Sequence, residues 1–132
     1  MKSIASKTKR KKKFDPKYIG VPNICFSLTK KDDDREAKFR LQRIETGFDD
    51  SETWSLRDTI ANFILPRLKR YRLIIDGFLV NDNELYENCD RAIRAFELVA
   101  RDNGSTIWTK DEEKEYKIGM KAFAKVYMGL WW

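Results

Sequence analysis

The strongest helical pattern in this chain runs from Gly47 to Tyr71, GFDDSETWSLRDTIANFILPRLKRY. Its apolar residues recur at spacings of three and four, which places them on one helix face and predicts a helix that packs on a core. This stripe consists of Leu56, Ile60, Phe63, Ile64, Leu68 and Tyr71. Ser55 and Asp58 have the spacing of an N-terminal capping box, although residues 50–52 offer an earlier start. We therefore predict a central helix over Ser55–Asp76.

Two breaker residues shape this helix. Pro66 removes one backbone donor inside it, so we expect a kink there. Asp76 and Gly77 allow two interpretations, because Leu73–Ile75 and Phe78–Val80 also read as the strands of a small hairpin around a two-residue turn. We prefer a helix that stops at Gly77, since an isolated hairpin is marginally stable.

Two later segments are predicted to form the other main helices. The first runs over Asp82–Asn103 with a stop at Gly104, and the second over Lys110–Leu130. The second begins with a capping box of Thr109 and Glu112. Their apolar lines are Leu85, Cys89, Ala92, Ile93, Phe96, Val99 and Ala100, and then Tyr116, Met120, Phe123, Tyr127 and Leu130.

A shorter helix is predicted over Arg35–Thr46, capped by Asp34, stopped by Gly47 and apolar at Ala37, Leu41 and Ile44. The four segments predict an all-α fold, a small bundle of three main helices plus a shorter N-terminal helix. We expect one helical domain over residues 14–132, in which residues 14–33 form an extended segment packed on the helices. Within it, residues 24–28 resemble a strand, but no partner strand is evident, and we predict coil.

The charge of the chain is concentrated at one end. Residues 1–20 contain eight basic residues and one acidic residue, a net charge of +7, which leaves −1 for the other 112 residues. Residues 1–13 are almost without apolar content, so we predict a disordered basic arm. Such an arm either binds the phosphates of nucleic acid or only keeps the protein soluble, and we prefer the first.

Composition excludes several classes of site. The chain has no histidine, the usual general base and commonest zinc ligand. It also lacks a glycine-rich phosphate loop, a nucleophile motif and paired cysteine ligands, so we predict no catalytic residue, metal or cofactor. Cys25 and Cys89 are expected to be free buried thiols. No membrane span or secretory signal is evident, and we expect a soluble intracellular protein.

The candidate site residues fall into three groups. The candidate nucleic-acid contacts are Lys7, Lys9, Arg10, Lys11, Lys12 and Lys13 in the arm and Arg67, Lys69, Arg70 and Arg72 on the central helix. The second group competes with a structural interpretation, because basic residues also favour a helix C-terminus. Trp131 and Trp132 either close the core, which we prefer, or form a protein contact. Asp49, Asp50 and Glu52 could hold a divalent ion, but helix capping explains them equally well.

The blocks GFDDSETWSL, TIANFILPRLKRY, AIRAFEL and FAKVYMGLW, in this order, resemble a family of small uncharacterised proteins of tailed bacteriophages. The resemblance covers about Arg40 to Trp132 and implies a phage origin without a known activity. Relatives carry an Asp and an aromatic residue after TWSL, where this chain has Arg57 and Asp58, so an acidic role at position 57 does not carry over.

The sequence thus favours a non-catalytic phage accessory protein in the host cell cytoplasm. We expect it to bind nucleic acid or a nucleoprotein complex, and host defence machinery is one class of partner. The first alternative is a virion-associated structural protein that contacts other phage or host proteins. The second is a divalent-metal enzyme that uses the acidic residues at 49, 50 and 52.

Overall fold

The fold is all-α. The computed structural model describes residues 24–78, 81–101 and 107–132, and it contains no strand within these ranges. The helices are α1 (Glu36–Thr46), α2 (Leu56–Gly77), α3 (Asn83–Ala100) and α4 (Lys110–Val126), with 3₁₀ turns at Asp50–Thr53 and Tyr127–Gly129. The predicted fold class is therefore confirmed. The basic arm over residues 1–13, the first half of the predicted extended segment and the stop at Gly104 lie outside the described residues.

The described residues fall into two compact units, with the boundary between Leu56 and Arg57. The single helical domain over residues 14–132 stays a prediction. In the second unit, α2, α3 and α4 form a bundle whose central residues are Ala61, Leu68, Ala92 and Phe96. The Phe96 ring meets the Phe123 ring edge-on, with centroids 5.1 Å apart. The apolar lines predicted for α3 and α4 supply most of this core.

Helices α3 and α4 pack closely because a glycine faces the contact. A Cβ atom on Gly119 would overlap the carbonyl oxygen of Arg91 and the Cβ of Ala95 on α3. Ala95 is fully buried, so a small residue of α3 meets the glycine of α4. The absence of a side chain at 119 therefore sets how near the two backbones come.

Helix α2 continues to Gly77, so the predicted stop is confirmed and the hairpin alternative is wrong. Its buried residues are Ala61, Leu68 and Ile75, which follow one another at intervals of seven. The predicted core stripe is correct for Leu68, which is buried, and for Ile64 and Tyr71, which pack against the core. It is wrong for Leu56, Ile60 and Phe63, which are about half exposed. Ala61 is fully buried on a neighbouring face of α2, while the larger Leu56, Ile60 and Phe63 remain at its surface.

The last two helices end earlier than predicted. Arg101 adopts an extended conformation (φ −65°, ψ 140°), which ends α3 at Ala100 instead of Asn103. Helix α4 ends at Val126, because the chain tightens into the 3₁₀ turn before Leu130. The capping box of Thr109 and Glu112 at the start of α4 is present as predicted.

In the first unit, α1 buries a different face from the predicted one. Phe39 and Arg43 are buried, whereas Ala37 and Leu41 are exposed, Leu41 by 62%. The predicted start is also off by one residue, because the carboxylate of Asp33, and not that of Asp34, accepts the backbone N–H of Arg35 at 2.8 Å. The stop is correct, since Gly47 has a left-handed φ of 87°.

The segment before α1 is coil, as predicted, but its polar residues face inward. Cys25, Ser27 and Thr29 are buried, while Ile24 and Leu28 are exposed. Side-chain oxygens replace the missing strand partner, because Ser51 Oγ accepts the N–H of Leu28 at 2.8 Å and Ser27 Oγ accepts that of Thr29 at 3.3 Å. Cys25 and Cys89 are both buried free thiols.

Candidate functional site

A buried ionic cluster joins the extended segment, α1 and the first 3₁₀ turn. The Arg43 and Asp49 side chains have no exposed surface, and Nη1 lies 2.5 Å from Oδ2. Arg43 Nη2 also lies 2.6 Å from Glu36 Oε2. Ser27 Oγ donates to Asp49 Oδ2 at 2.6 Å, and Ser51 donates to Oδ1 through its N–H (2.8 Å) and its hydroxyl (2.5 Å). These five residues are called the buried ionic cluster below.

The charges of the cluster are fixed by their neighbours. Burial alone raises the pKa of Asp49, but the hydrogen bonds from Ser27, Ser51 and Arg43 outweigh it and leave this pKa below its ordinary value. Burial alone likewise lowers the pKa of Arg43, and the bonds to its two carboxylates raise it. Both groups therefore stay ionised near neutral pH, and the cluster behaves as a structural ion pair and not as a general acid or base.

The neighbouring carboxylates have structural contacts as well. Asp49 and Glu52 form a capping box, in which Glu52 Oε2 accepts the N–H of Asp49 at 3.0 Å. Asp50 is exposed, and its Oδ2 accepts a hydrogen bond from the Gln42 amide at 3.0 Å. Within the described ranges, no three or more His, Cys, Asp or Glu side chains are grouped so that they could hold a metal ion. Capping accounts for Asp49 and Glu52, and no observation on the described residues favours the metal-enzyme hypothesis.

The four basic candidates on α2 separate into two pairs. Lys69 Nζ lies 3.1 Å from Glu97 Oε2, and Arg72 Nε lies 3.0 Å from Asp90 Oδ1, so both side chains bridge to α3. The Arg72 guanidinium also covers the Tyr86 ring at 4.4 Å. Lys69 and Arg72 thus help to hold the bundle together.

The other pair, Arg67 and Arg70, is exposed. The Arg67 guanidinium stacks on the Phe63 ring, 3.9 Å from its centroid, and Nη1 donates to the Phe63 carbonyl oxygen at 2.7 Å. Arg70 makes no ion pair or hydrogen bond with any described residue. The helix-dipole interpretation does not apply to either, because the last turn of α2 contains no basic residue and the dipole acts within that turn.

Large aromatic side chains are exposed at the C-terminal end of the bundle. Trp131 and Trp132 are 76% and 66% exposed, so the preferred prediction that they close the core is wrong. The Tyr71 hydroxyl donates to the Trp131 carbonyl oxygen at 3.3 Å, and the Trp132 ring meets the Phe78 ring at 5.4 Å. Because α4 ends before these residues, its core-facing line does not reach them. Phe78, Trp131 and Trp132 are called the C-terminal aromatic surface below.

The sequence interpretation missed two of these features. Phe63 was assigned to the core, although its spacing of four from Arg67 is the signal for an aromatic and a cation that meet on a helix surface. Arg43 was not singled out, because an arginine among polar residues gives no sign of burial. The arm residues Lys7, Lys9, Arg10, Lys11, Lys12 and Lys13 lie outside the described part of the chain.

The search for related proteins returned nothing: no family model, curated protein or solved structure matches this chain. In the part of the chain that the structure describes, no helix has the length and apolar content needed to cross a membrane.

Proposed function

We propose that this protein is a non-catalytic phage accessory protein that binds a macromolecular partner, preferably nucleic acid or a nucleoprotein complex, in the host cell cytoplasm. The observation that carries the proposal is the segregation of charge, with +7 on residues 1–20 and −1 on all the others. A polybasic segment gains binding free energy by releasing the counterions that condense on nucleic-acid phosphates. A helical body of almost neutral charge does not need such a segment for its own folding. Host defence machinery is one class of nucleoprotein partner.

The C-terminal aromatic surface gives the proposal its second part. Exposed large apolar groups are costly in water, and clustered ones are typical of protein interaction sites. The arm would bind phosphates, and Trp131 and Trp132 would bind a protein surface. This combination suits a nucleoprotein complex better than bare nucleic acid. The two contacts then add, because the second forms at the high effective concentration that the first creates.

The test is the salt dependence of nucleic-acid binding. Fluorescence anisotropy with duplex DNA should give an affinity that is insensitive to sequence and falls steeply with salt, with a slope of about −0.9 per phosphate neutralised. Deletion of residues 1–13, or replacement of the six basic residues from Lys7 to Lys13 by glutamine at unchanged length, should flatten that slope. The two variants should melt like the parent protein, since neither removes a described core residue. If the intact protein binds no nucleic acid at low salt, the preference for nucleic acid is rejected.

The second candidate is a virion-associated structural protein, and the exposure of Trp131 and Trp132 favours it. In such a protein the aromatic surface makes permanent contacts in the particle, while the arm reaches packaged nucleic acid. Mass spectrometry of purified particles separates the two candidates. Stoichiometric presence in particles, lost when both tryptophans are changed to alanine, favours the virion protein, whereas absence from particles leaves the accessory protein.

A further inference from the structure

One exposed face of α2 combines apolar, aromatic and basic side chains. Ile60, Phe63, Arg67 and Arg70 follow one another at spacings of three and four, so they share a face, which we call the α2 basic face. It differs from the face of Ala61, Leu68 and Ile75 that enters the core. The α2 basic face is therefore not required for packing of the bundle.

The geometry at Phe63 provides a planar platform. The central carbon of the Arg67 guanidinium lies over the ring, 3.9 Å from its centroid, and Nη1 donates a hydrogen bond to the Phe63 carbonyl oxygen. This stack joins an aromatic ring and a delocalised cation, two groups on which nucleic-acid bases stack. Arg70 adds, one turn further along, a positive charge that no described carboxylate neutralises.

Duplex DNA does not match this combination. Its bases are covered by their neighbours in the stack, so an exposed phenylalanine gains little from its outer surface, which is phosphate and sugar. A single strand offers both parts, since unpaired bases stack on aromatic side chains while the backbone phosphates bind arginine. An acidic protein segment would satisfy Arg70 but would not need the flat stack at Phe63.

We propose that the α2 basic face binds unpaired bases of single-stranded nucleic acid, with Phe63 and Arg67 stacking on a base and Arg70 binding an adjacent phosphate. This inference rests on the proposed function and specifies its ligand. The arm supplies affinity for any nucleic acid, and the α2 basic face supplies the preference for single strands. RNA and DNA share the chemistry that this face recognises.

The experiment compares labelled oligo(dT), oligo(U) and a DNA duplex, each of about 20 nucleotides or base pairs, so that a single-strand site fits. The full-length protein is measured with Phe63→Ala and Arg70→Gln. Phe48→Ala is the matched control for the first, since Phe48 and Phe63 are 50% and 47% exposed. Arg40→Gln is the control for the second, because Arg40 is also exposed and makes no ion pair with a described residue.

Phe63→Ala should weaken single-strand binding by about 5- to 100-fold, the range for loss of one base–aromatic stack, and leave duplex binding unchanged. Arg70→Gln should weaken single-strand binding and reduce its salt slope by about one phosphate. Neither control variant should change the affinity for the single strands or for the duplex. Thermal melts of the variants should match that of the parent, because Phe63 is half exposed. Parallel losses on oligo(dT) and oligo(U) indicate a face that does not distinguish the sugar, and a loss on one alone identifies the natural ligand.

Two results would overturn this inference and leave the proposed function intact. The first is nucleic-acid binding by the parent that Phe63→Ala does not change. The second is that Phe63→Ala weakens binding of polyglutamate as much as binding of the single strands, which would assign the face to an acidic protein partner. Failure of the intact protein to bind any of the three nucleic acids has a different meaning, because it rejects the nucleic-acid preference in the proposed function itself.

Discussion

Asp49→Asn is the change that most directly tests the organisation of the first unit. The side chain keeps its shape and loses its charge, so the Arg43 guanidinium loses the carboxylate at 2.5 Å. The new amide adds a donor beside two groups that already donate, Ser27 Oγ and Arg43 Nη1. Helix α1 and the 3₁₀ turn are thereby left with a mismatched contact where they had an ion pair.

The cost follows from what remains around Arg43. Removal of one partner from a buried ion pair destabilises a protein by about 3–5 kcal/mol, because the other charge stays buried. Here Glu36 still binds Nη2 at 2.6 Å, and its side chain is partly exposed. The guanidinium is therefore not left without a counter-charge, which places the expected loss near the lower limit, about 3 kcal/mol. A loss of that size is a large part of the stability of a small domain.

Urea unfolding followed by circular dichroism, together with hydrogen exchange by mass spectrometry, measures this effect. Peptides from α1 and residues 49–53 should exchange about 100-fold faster in Asp49→Asn, and peptides from α3 serve as an internal reference. Asp50→Asn is the matched control, because Asp50 is exposed and keeps an acceptor for Gln42. If both variants lie within about 0.5 kcal/mol of the parent, the ion pair does not hold the unit together and the reasoning is refuted.

Three further predictions concern the second unit. Gly119→Ala should lower the free energy of unfolding in urea by about 1–3 kcal/mol, because the added methyl group forces α3 and α4 apart. Gly129→Ala should not lower it, because Gly129 has open space around it. Equal effects of the two substitutions would disprove the close contact at Gly119. Phe96→Ala should cost about 3–5 kcal/mol, and the half-exposed Phe63 much less, so equal losses would contradict the observed core. The hydrogen bond from the Arg101 guanidinium lowers the pKa of Glu112 from 4.5 to about 2. The ionised Glu112 therefore contributes fully to stability above pH 4.5, and this contribution is lost as the pH falls toward 2. The difference in melting temperature between the parent and Glu112→Gln should disappear over that range, and a difference that does not change with pH would contradict this prediction.

The sequence was a good guide to the helices because their signals are local. Spacings of three and four, the capping box at Thr109 and the glycine at 47 all act within a few residues, and each was located to within a turn. The ends that moved, such as Ala100 for the predicted Asn103, depend on contacts beyond the segment. The spacing of apolar residues does not predict the extended backbone conformation at Arg101.

The buried faces were harder to predict, because burial depends on what a helix meets. The apolar line Ala37, Leu41 and Ile44 is a correct observation about α1, yet the helix buries Phe39 and Arg43. Arg43 has the best partner in the unit, a carboxylate that accepts three other hydrogen bonds, and this partner is six residues away in a different element. A helical pattern cannot contain that information, since the ion pair is a property of two elements together.

Side-chain size differs between the core and the surface of the second unit. Gly119 of α4 lies against the backbone of Arg91 and against Ala95 of α3, and α2 contributes Ala61 and Leu68 to the core. Small residues let the backbones of α3 and α4 approach, and the larger Leu68, Phe96 and Phe123 fill the core beside them. Phe63, Trp131 and Trp132 lie at the surface instead. Under the proposed function, a binding partner would cover these exposed rings, which are costly to leave in water.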